Sequence, residues 1–446
     1  MICWEKMDSN HTLSAIMKKV IVPIAIILPL ILVFFFVCKF GVTIPYWDQW
    51  ELVPLLEKIH NHTLTLADVW AQHNEHRIFF PEMVMLILAR LSGWNIFLEL
   101  CTSMLLATFT FLFLLSILGS TSKTTSPWLK IFLSLMIFSM VQYENWGWGW
   151  QIQVFMSVLG LVIAIWAANK WQGKTVGLII AISGAVLSSY SFNTGLASWP
   201  AVLFVMLLQK KWKLKHIIIW TFACIATILL YYYEYANPTE HPSVLLFLSY
   251  PLIYIRYVLT YLGASLGWTY PISLAVTIIS LVLISLAIFN LWRFDKQKLS
   301  DMAPWIAMAL YACMAACATG VGRIGFSWEQ AFSSRYTTIS LLLPLSAGVL
   351  LQHSIRFYPD MKNKFLKSLF LMVIIFIFII LYTNSYRSGL ERMKVKSIYV
   401  NASAFCLTHP DTADEYFLNR LYPRSYVVRP RIKTLSELGI KFKTGE

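Results

Sequence analysis

The chain has 446 residues, 58% of them hydrophobic and only 13% charged, with a formal net charge of +14 and a mean hydropathy of +0.64. Soluble domains carry about a quarter charged residues, and no soluble fold of this length could cover so much apolar surface. Apolar runs near the ~20 residues that cross a bilayer as a helix recur along the chain, without the alternation of barrel strands, so the expected fold class is all-α and polytopic.

In chain order the expected spans are 20–42, 98–119, 128–144, 152–168, 175–190, 198–209, 214–232, 270–291, 302–321, 336–352 and 365–383, about 11 in all. The first run is too long for a signal peptide and reads as a retained span. The division expected is a transmembrane domain, 1–383, holding a long first loop at 43–97, and a C-terminal segment, 384–446. Short segments on the N-terminal side hold 18 Lys and Arg, against 6 in the short segments opposite. That bias places the N-terminus in the cytoplasm and the long first loop outside. The C-terminal segment follows it outside if the span count is odd, although its 11 Lys and Arg pull the other way. The basic excess is juxtamembrane and faces anionic lipid, so nucleic acid is not an expected partner.

No span carries an Asp, Glu, Lys or Arg near its centre. Ion-coupled transporters place such groups at mid-membrane, so a transporter of that kind is disfavoured and the chemistry is expected at the outer surface. There is no P-loop, no dinucleotide fingerprint and no haem or zinc motif. The 7 cysteines are scattered and read as small apolar residues. No cofactor and no metal are expected.

Candidate chemistry lies in five outer segments. Asp48, in the stretch Pro45–Trp50, directly follows the first span and precedes a short amphipathic helix. It reads either as a general base facing lipid headgroups or as a helix cap. Gln72–Arg77 puts Glu75, His76 and Arg77 just before an apolar helix, where cations could grip a phosphate and Glu75 orient one of them. Gln142–Gln153 interleaves Trp146, Trp148 and Trp150 with Glu144, Asn145 and Gln151. Such a stretch suits a sugar, and equally an interfacial aromatic belt. Asn193 closes a small polar turn after Ser188. Arg323 and Arg335 end two spans on the outer side and suit a phosphate, or else snorkel.

Taken together this pattern resembles the GT-C class of membrane glycosyltransferases. The resemblance rests on Asp48 in PYWDQW, on the surface helix after it, on HNEHRIFFPEMVMLILARLSGWN at 73–95, and on the span count with a C-terminal segment outside. It covers the first ~100 residues closely and the rest in topology alone. YENWGWGWQIQ and SSRYTT also look like stretches in uncharacterised bacterial members. Phage and bacterial serotype-converting glucosyltransferases are similar in size and span count. The class usually shows an acidic pair where this chain has Asp48-Gln49. The resemblance implies a bacterial inner-membrane enzyme with a periplasmic active face. It would move a sugar from a polyprenyl-phosphate donor to a lipid-linked or cell-surface glycan acceptor. Asp48 would be the base, assisted by Glu75. His76, Arg77, Arg323 and Arg335 would hold the donor phosphate, and Glu144, Asn145, Trp146, Trp148, Trp150, Gln151 and Asn193 would hold sugars. A polysaccharide polymerase or ligase, and a lipid or glycan flippase, remain open alternatives.

Overall fold

The computed structural model describes residues 17–121, 126–238, 241–355 and 364–442. Among the described residues the chain is helical, with a lone β-bridge between His73 and His76. Lipid offers no partner to backbone N–H and C=O groups, so an apolar run crossing it must satisfy them internally as helix. Eight helices are long and apolar enough to cross. The protein is therefore an all-α polytopic membrane protein.

The helices that frame the site are α1 (Val22–Phe40), α2 (Val53–His60), α3 (Phe79–Ser92), α4 (Ile96–Thr121), α5 (Pro127–Ile137), α6 (Ile152–Lys170), α7 (Thr175–Ser189), α8 (Ser198–Gln209), α9 (Leu214–Tyr232), α10 (Pro251–Gly263), α11 (Tyr270–Phe294), α12 (Ala303–Arg323), α13 (Leu342–Ser354), α14 (Lys364–Asn401), α15 (Glu415–Leu421) and α16 (Ser425–Glu437). Several start on proline, as Pro127 and Pro251 do, where its missing N–H costs nothing. Close packing in the bundle uses small residues. A Cβ on Gly160 would lie 2.6 Å from Gly184 O, and one on Gly184 would lie 2.7 Å from Gly160 O. The backbones of α6 and α7 thus touch directly.

Hydrogen bonds sort the helix ends onto two faces. At one face Trp305 Nε1 donates to Thr121 Oγ1 at 3.2 Å, Asn169 to Ser120 at 2.9 Å and Gln209 to Asn169 at 2.8 Å. At the other, the first loop, the turns at 139–151 and 190–197, and the segment 324–336 meet.

Two expected boundaries are corrected. The run 128–144 is not one helix: α5 stops at Ile137 and short turns follow, because Ser139 caps the next turn and Gln142 Nε2 donates back to Ile137 O at 2.9 Å. The span expected at 365–383 is also part of a longer helix, since α14 runs unbroken to Asn401. Beyond it, α15 and α16 fold onto the first loop. Val400, Cys406, Leu418, Leu421, Val428, Ile432 and Leu435 share an apolar cluster with Trp50, Leu52, Val53 and Leu56. Arg431 pairs with Glu51 at 2.9 Å, and Tyr422 Oη donates to the same carboxylate at 2.9 Å. The C-terminal segment and the first loop therefore lie on the same face.

Candidate functional site

After α1 the chain turns sharply into a 3-10 turn, Trp47–Leu52. Gln49, fully buried, fixes that turn with both ends of its amide: Oε1 accepts from Tyr46 N–H at 3.3 Å and Nε2 donates to Glu99 Oε2 at 2.6 Å. Trp94 Nε1 donates to the other Glu99 oxygen at 3.0 Å. A Cβ on Gly149 would collide with Glu99 Oε2 and sit 2.9 Å from Gln49 Nε2, so only glycine fits against this pair. These contacts give a physical reason for glutamine at position 49. A carboxylate there would face Glu99 across a buried contact, where two like charges cannot both ionise. Asp48 itself is left partly open. Its side chain caps nothing in the turn, which removes the helix-cap reading, and its nearest charged neighbour is His73 Nε2 at 4.0 Å.

The second wall comes from 72–77. His73 and His76 exchange backbone hydrogen bonds of 2.8 and 2.9 Å, closing a tight hairpin with Asn74 in the left-handed region at φ 50°. The hairpin presents Glu75 to three basic groups: Arg323, His76 Nε2 at 3.4 Å and His241 Nδ1 at 3.4 Å. Burial alone would raise the Glu75 carboxyl, but His76 and, after it, the Arg323 guanidinium reverse this and hold it down at about 2. Burial drives His76 the other way, down to about 4, with Arg323 adding to the effect. His76 is thus neutral at pH 7. Asn193 N–H donates to its Nδ1 at 3.4 Å, leaving Nε2 to carry the proton toward Glu75. His73 behaves oppositely: burial opposes its charge, but the Asp48 carboxylate, together with Glu51 and Glu82 beyond it, outweighs burial and raises it.

The third wall is the pair of segments 142–151 and 323–336. Glu144 accepts from Arg335 N–H and Ser333 Oγ, each at 3.2 Å, and meets Lys396 Nζ of α14 at 3.6 Å. Arg335 spends Nε on Ser333 Oγ at 3.1 Å, and among the described residues no carboxylate lies within ion-pair distance of its guanidinium. The Trp150 and His73 rings meet at a tilt of 59°, their centres 4.9 Å apart.

These walls enclose one cleft of about 990 Å³. Of the residues singled out from sequence, Asp48, Glu75, His76, Trp150, Gln151, Asn193, Arg323 and Arg335 line it. The others do not. Arg77 is buried, with three of its five guanidinium N–H groups on the carbonyls of Tyr231 (2.6 Å), Trp70 (2.8 Å) and Tyr233, so it holds the loop to α9 and stays outside the cleft. Glu144 stands behind Arg335. Asn145 is spent on Arg335 O at 3.1 Å and Thr338 Oγ1 at 2.6 Å. Trp146 and Trp148 are buried and donate to Ser139 O and Tyr46 O, each at 2.9 Å. They are framework rather than sugar platforms.

The cleft also contains residues that sequence reasoning passed over: Trp47, His73, His241 and Phe326. His73 belonged to a polar run already noted. His241 and Phe326 sit in loops with no local signal. No protein-family model, curated protein or solved structure matches the chain.

Proposed function

We propose that the protein is a membrane glycosyltransferase that takes its sugar from a polyprenyl-phosphate donor at the extracytoplasmic face. The single observation that carries this reading is the cleft. It places a partly open carboxylate, Asp48, and Arg335, which has no carboxylate within ion-pair distance among the described residues, in one pocket walled by aromatic and polar side chains. It lies at the face of the first loop, where a lipid-held donor would present its head group. Arg335 would take the donor phosphate. The acceptor oxygen attacks the anomeric carbon as the bond from that carbon to the phosphate oxygen breaks, its electron pair leaving with the phosphate. A phosphate monoester, with a second pKa of about 6, leaves at neutral pH without an acid, and Arg335 stabilises the growing charge. Asp48 takes the acceptor proton. Glu75, held near 2, is a weak base. Its part is to fix Arg323 and His76.

The same reading takes the chain across the bilayer eleven times. One of the eight long candidates precedes the first loop, leaving 8 − 1 = 7 after it. The loop and the C-terminal segment share a face, so the crossings between them must be even in number. On this reading the shorter helices α7 and α8, with α5, would also cross and bring the count after the first loop to ten.

The test is donor turnover. Purified protein in nanodiscs is given a panel of undecaprenyl-phosphate hexoses, and sugar released to water or to added glycan is measured. Release that depends on Asp48 is expected with at least one donor. No release with any of them, from protein that remains folded, would overturn the assignment.

A further inference from the structure

Trp47 is a bulky residue in the left-handed region, at φ 50°. That conformation favours glycine and is strained for a large side chain. Its flanks explain how it is enforced. Tyr46 is held through its carbonyl by Trp148 at 2.9 Å, and Gln49 is clamped to Glu99 at 2.6 Å, so the residues between them must bulge outward. They do not explain why the residue is tryptophan. Trp94 offers a comparison. It also sits in the left-handed region, at φ 61°, but it is buried and its indole N–H binds Glu99. The Trp47 indole makes no hydrogen bond to another described residue. It is 38% exposed, lines the cleft and stands next to Asp48. Residues held in strained backbone beside a site are kept for what they do there. The aromatic stretch 146–150 offers less open ring surface, since Trp146 and Trp148 are buried framework and Trp150 is itself buried, its ring against the tilted His73 ring at 4.9 Å.

We propose that Trp47 is the platform on which the transferred sugar ring stacks, which holds the anomeric carbon beside Asp48. The ligand class is a pyranose carried on a lipid phosphate, its C–H face on the indole. This rests on the glycosyltransferase reading above, and the experiment separates the two. Binding to purified protein in nanodiscs is measured for undecaprenyl phosphate and for undecaprenyl-phosphate glucose, galactose, mannose and N-acetylglucosamine. Wild type should bind one sugar-bearing lipid more tightly than the bare lipid phosphate. Trp47→Gly relieves the backbone but loses the packing of a partly buried ring, so its folding is confirmed by a thermal melt before binding is read. It should bind the bare lipid phosphate unchanged and lose most of the sugar's increment, roughly tenfold in Kd for one aromatic face. Trp47→Phe should keep most of that increment, and Trp47→Leu, apolar but without a π face, should lose it. A Trp47→Gly or Trp47→Leu protein that keeps the wild-type sugar preference overturns the proposal. So does one that weakens bare and sugar-bearing lipid equally, or a wild type with no sugar preference. A wild type that binds none of the five lipids overturns the glycosyltransferase reading and this proposal together.

Discussion

Asp48→Asn is the substitution on which the mechanism turns. Aspartate and asparagine are nearly isosteric, and the structure gives Asp48 little to lose by the change. Its side chain is one-quarter exposed, it caps no backbone group, and its closest charged partner is His73 Nε2 at 4.0 Å. An ion pair that long and that open is worth about 1 kcal/mol at most. The turn around it is held by Gln49, Glu99 and Trp94, which the substitution leaves untouched. Folded protein and donor binding should therefore survive. Turnover should not, because a positioned general base contributes about 10² to 10⁴-fold, or roughly 3–5 kcal/mol of barrier. The assay is sugar release from undecaprenyl-phosphate hexoses in nanodiscs at matched protein levels, with binding of the same lipids measured in parallel. A turnover within a few-fold of wild type would end the role assigned to Asp48. Equal loss of binding and turnover would also refute the reasoning, since it would make Asp48 part of the binding surface.

Arg335→Gln should weaken binding of undecaprenyl phosphate about tenfold or more, as expected for a lost charge-assisted bond, with Glu144 and Lys396 still paired behind it; unchanged binding would place the phosphate elsewhere. Arg77→Gln should behave differently, lowering thermal stability by roughly 3 kcal/mol because buried carbonyls lose their donor, with the donor affinity of the remaining folded protein unchanged. For Glu75 the sign follows from a carboxyl lowered from its ordinary 4.5 to about 2. Its ion-pair stabilisation is complete above about 4.5 and is lost as pH falls toward 2, so Glu75→Gln should flatten the acid limb of a melting-temperature profile between those values.

The sequence made the fold class readable because hydrocarbon leaves one solution for an apolar run of twenty residues. It was less informative where helices are short. The run at 128–144 is apolar enough to continue, and only tertiary contacts from Ser139 and Gln142 end it early. In the site, polar residues near span ends marked the right face but not their duties. Arg77 and Arg335 look alike in sequence. One is consumed by the carbonyls of Trp70, Tyr231 and Tyr233, and the other has Glu144 taken up by Lys396 and its own backbone N–H. Which arginine is spent depends on contacts more than 150 positions away, which no local pattern encodes. The same holds for Gln49. In sequence it stands where the resembled class has a second carboxylate, whereas in three dimensions its amide is taken up by the buried Glu99 on the next long helix, outside the cleft.

Topology gives the most direct test of the architecture as a whole. Arg431, Tyr422 and Glu51 join the C-terminal segment to the first loop, so those two regions must share a compartment whichever way the protein is inserted. The Lys and Arg bias of 18 to 6 in the short segments is the ground for proposing that this compartment is the outside, with the 11 Lys and Arg of the C-terminal segment pulling the other way. Each statement can fail separately. In a background with the 7 native cysteines replaced, single cysteines at the exposed positions Glu57, Lys433 and Lys211 report on the first loop, the C-terminal segment and the opposite face. A membrane-impermeant maleimide on intact spheroplasts should label Glu57→Cys and Lys433→Cys, and should label Lys211→Cys only after lysis. Labelling of Glu57→Cys and Lys433→Cys on opposite sides would break the loop–tail interface and the odd crossing number with it. Labelling of both only after lysis would keep the fold and invert it. The cleft would then open to the cytoplasm, where nucleotide-activated sugars rather than extracytoplasmic lipid-linked ones are at hand, and the donor proposed here would be the wrong one.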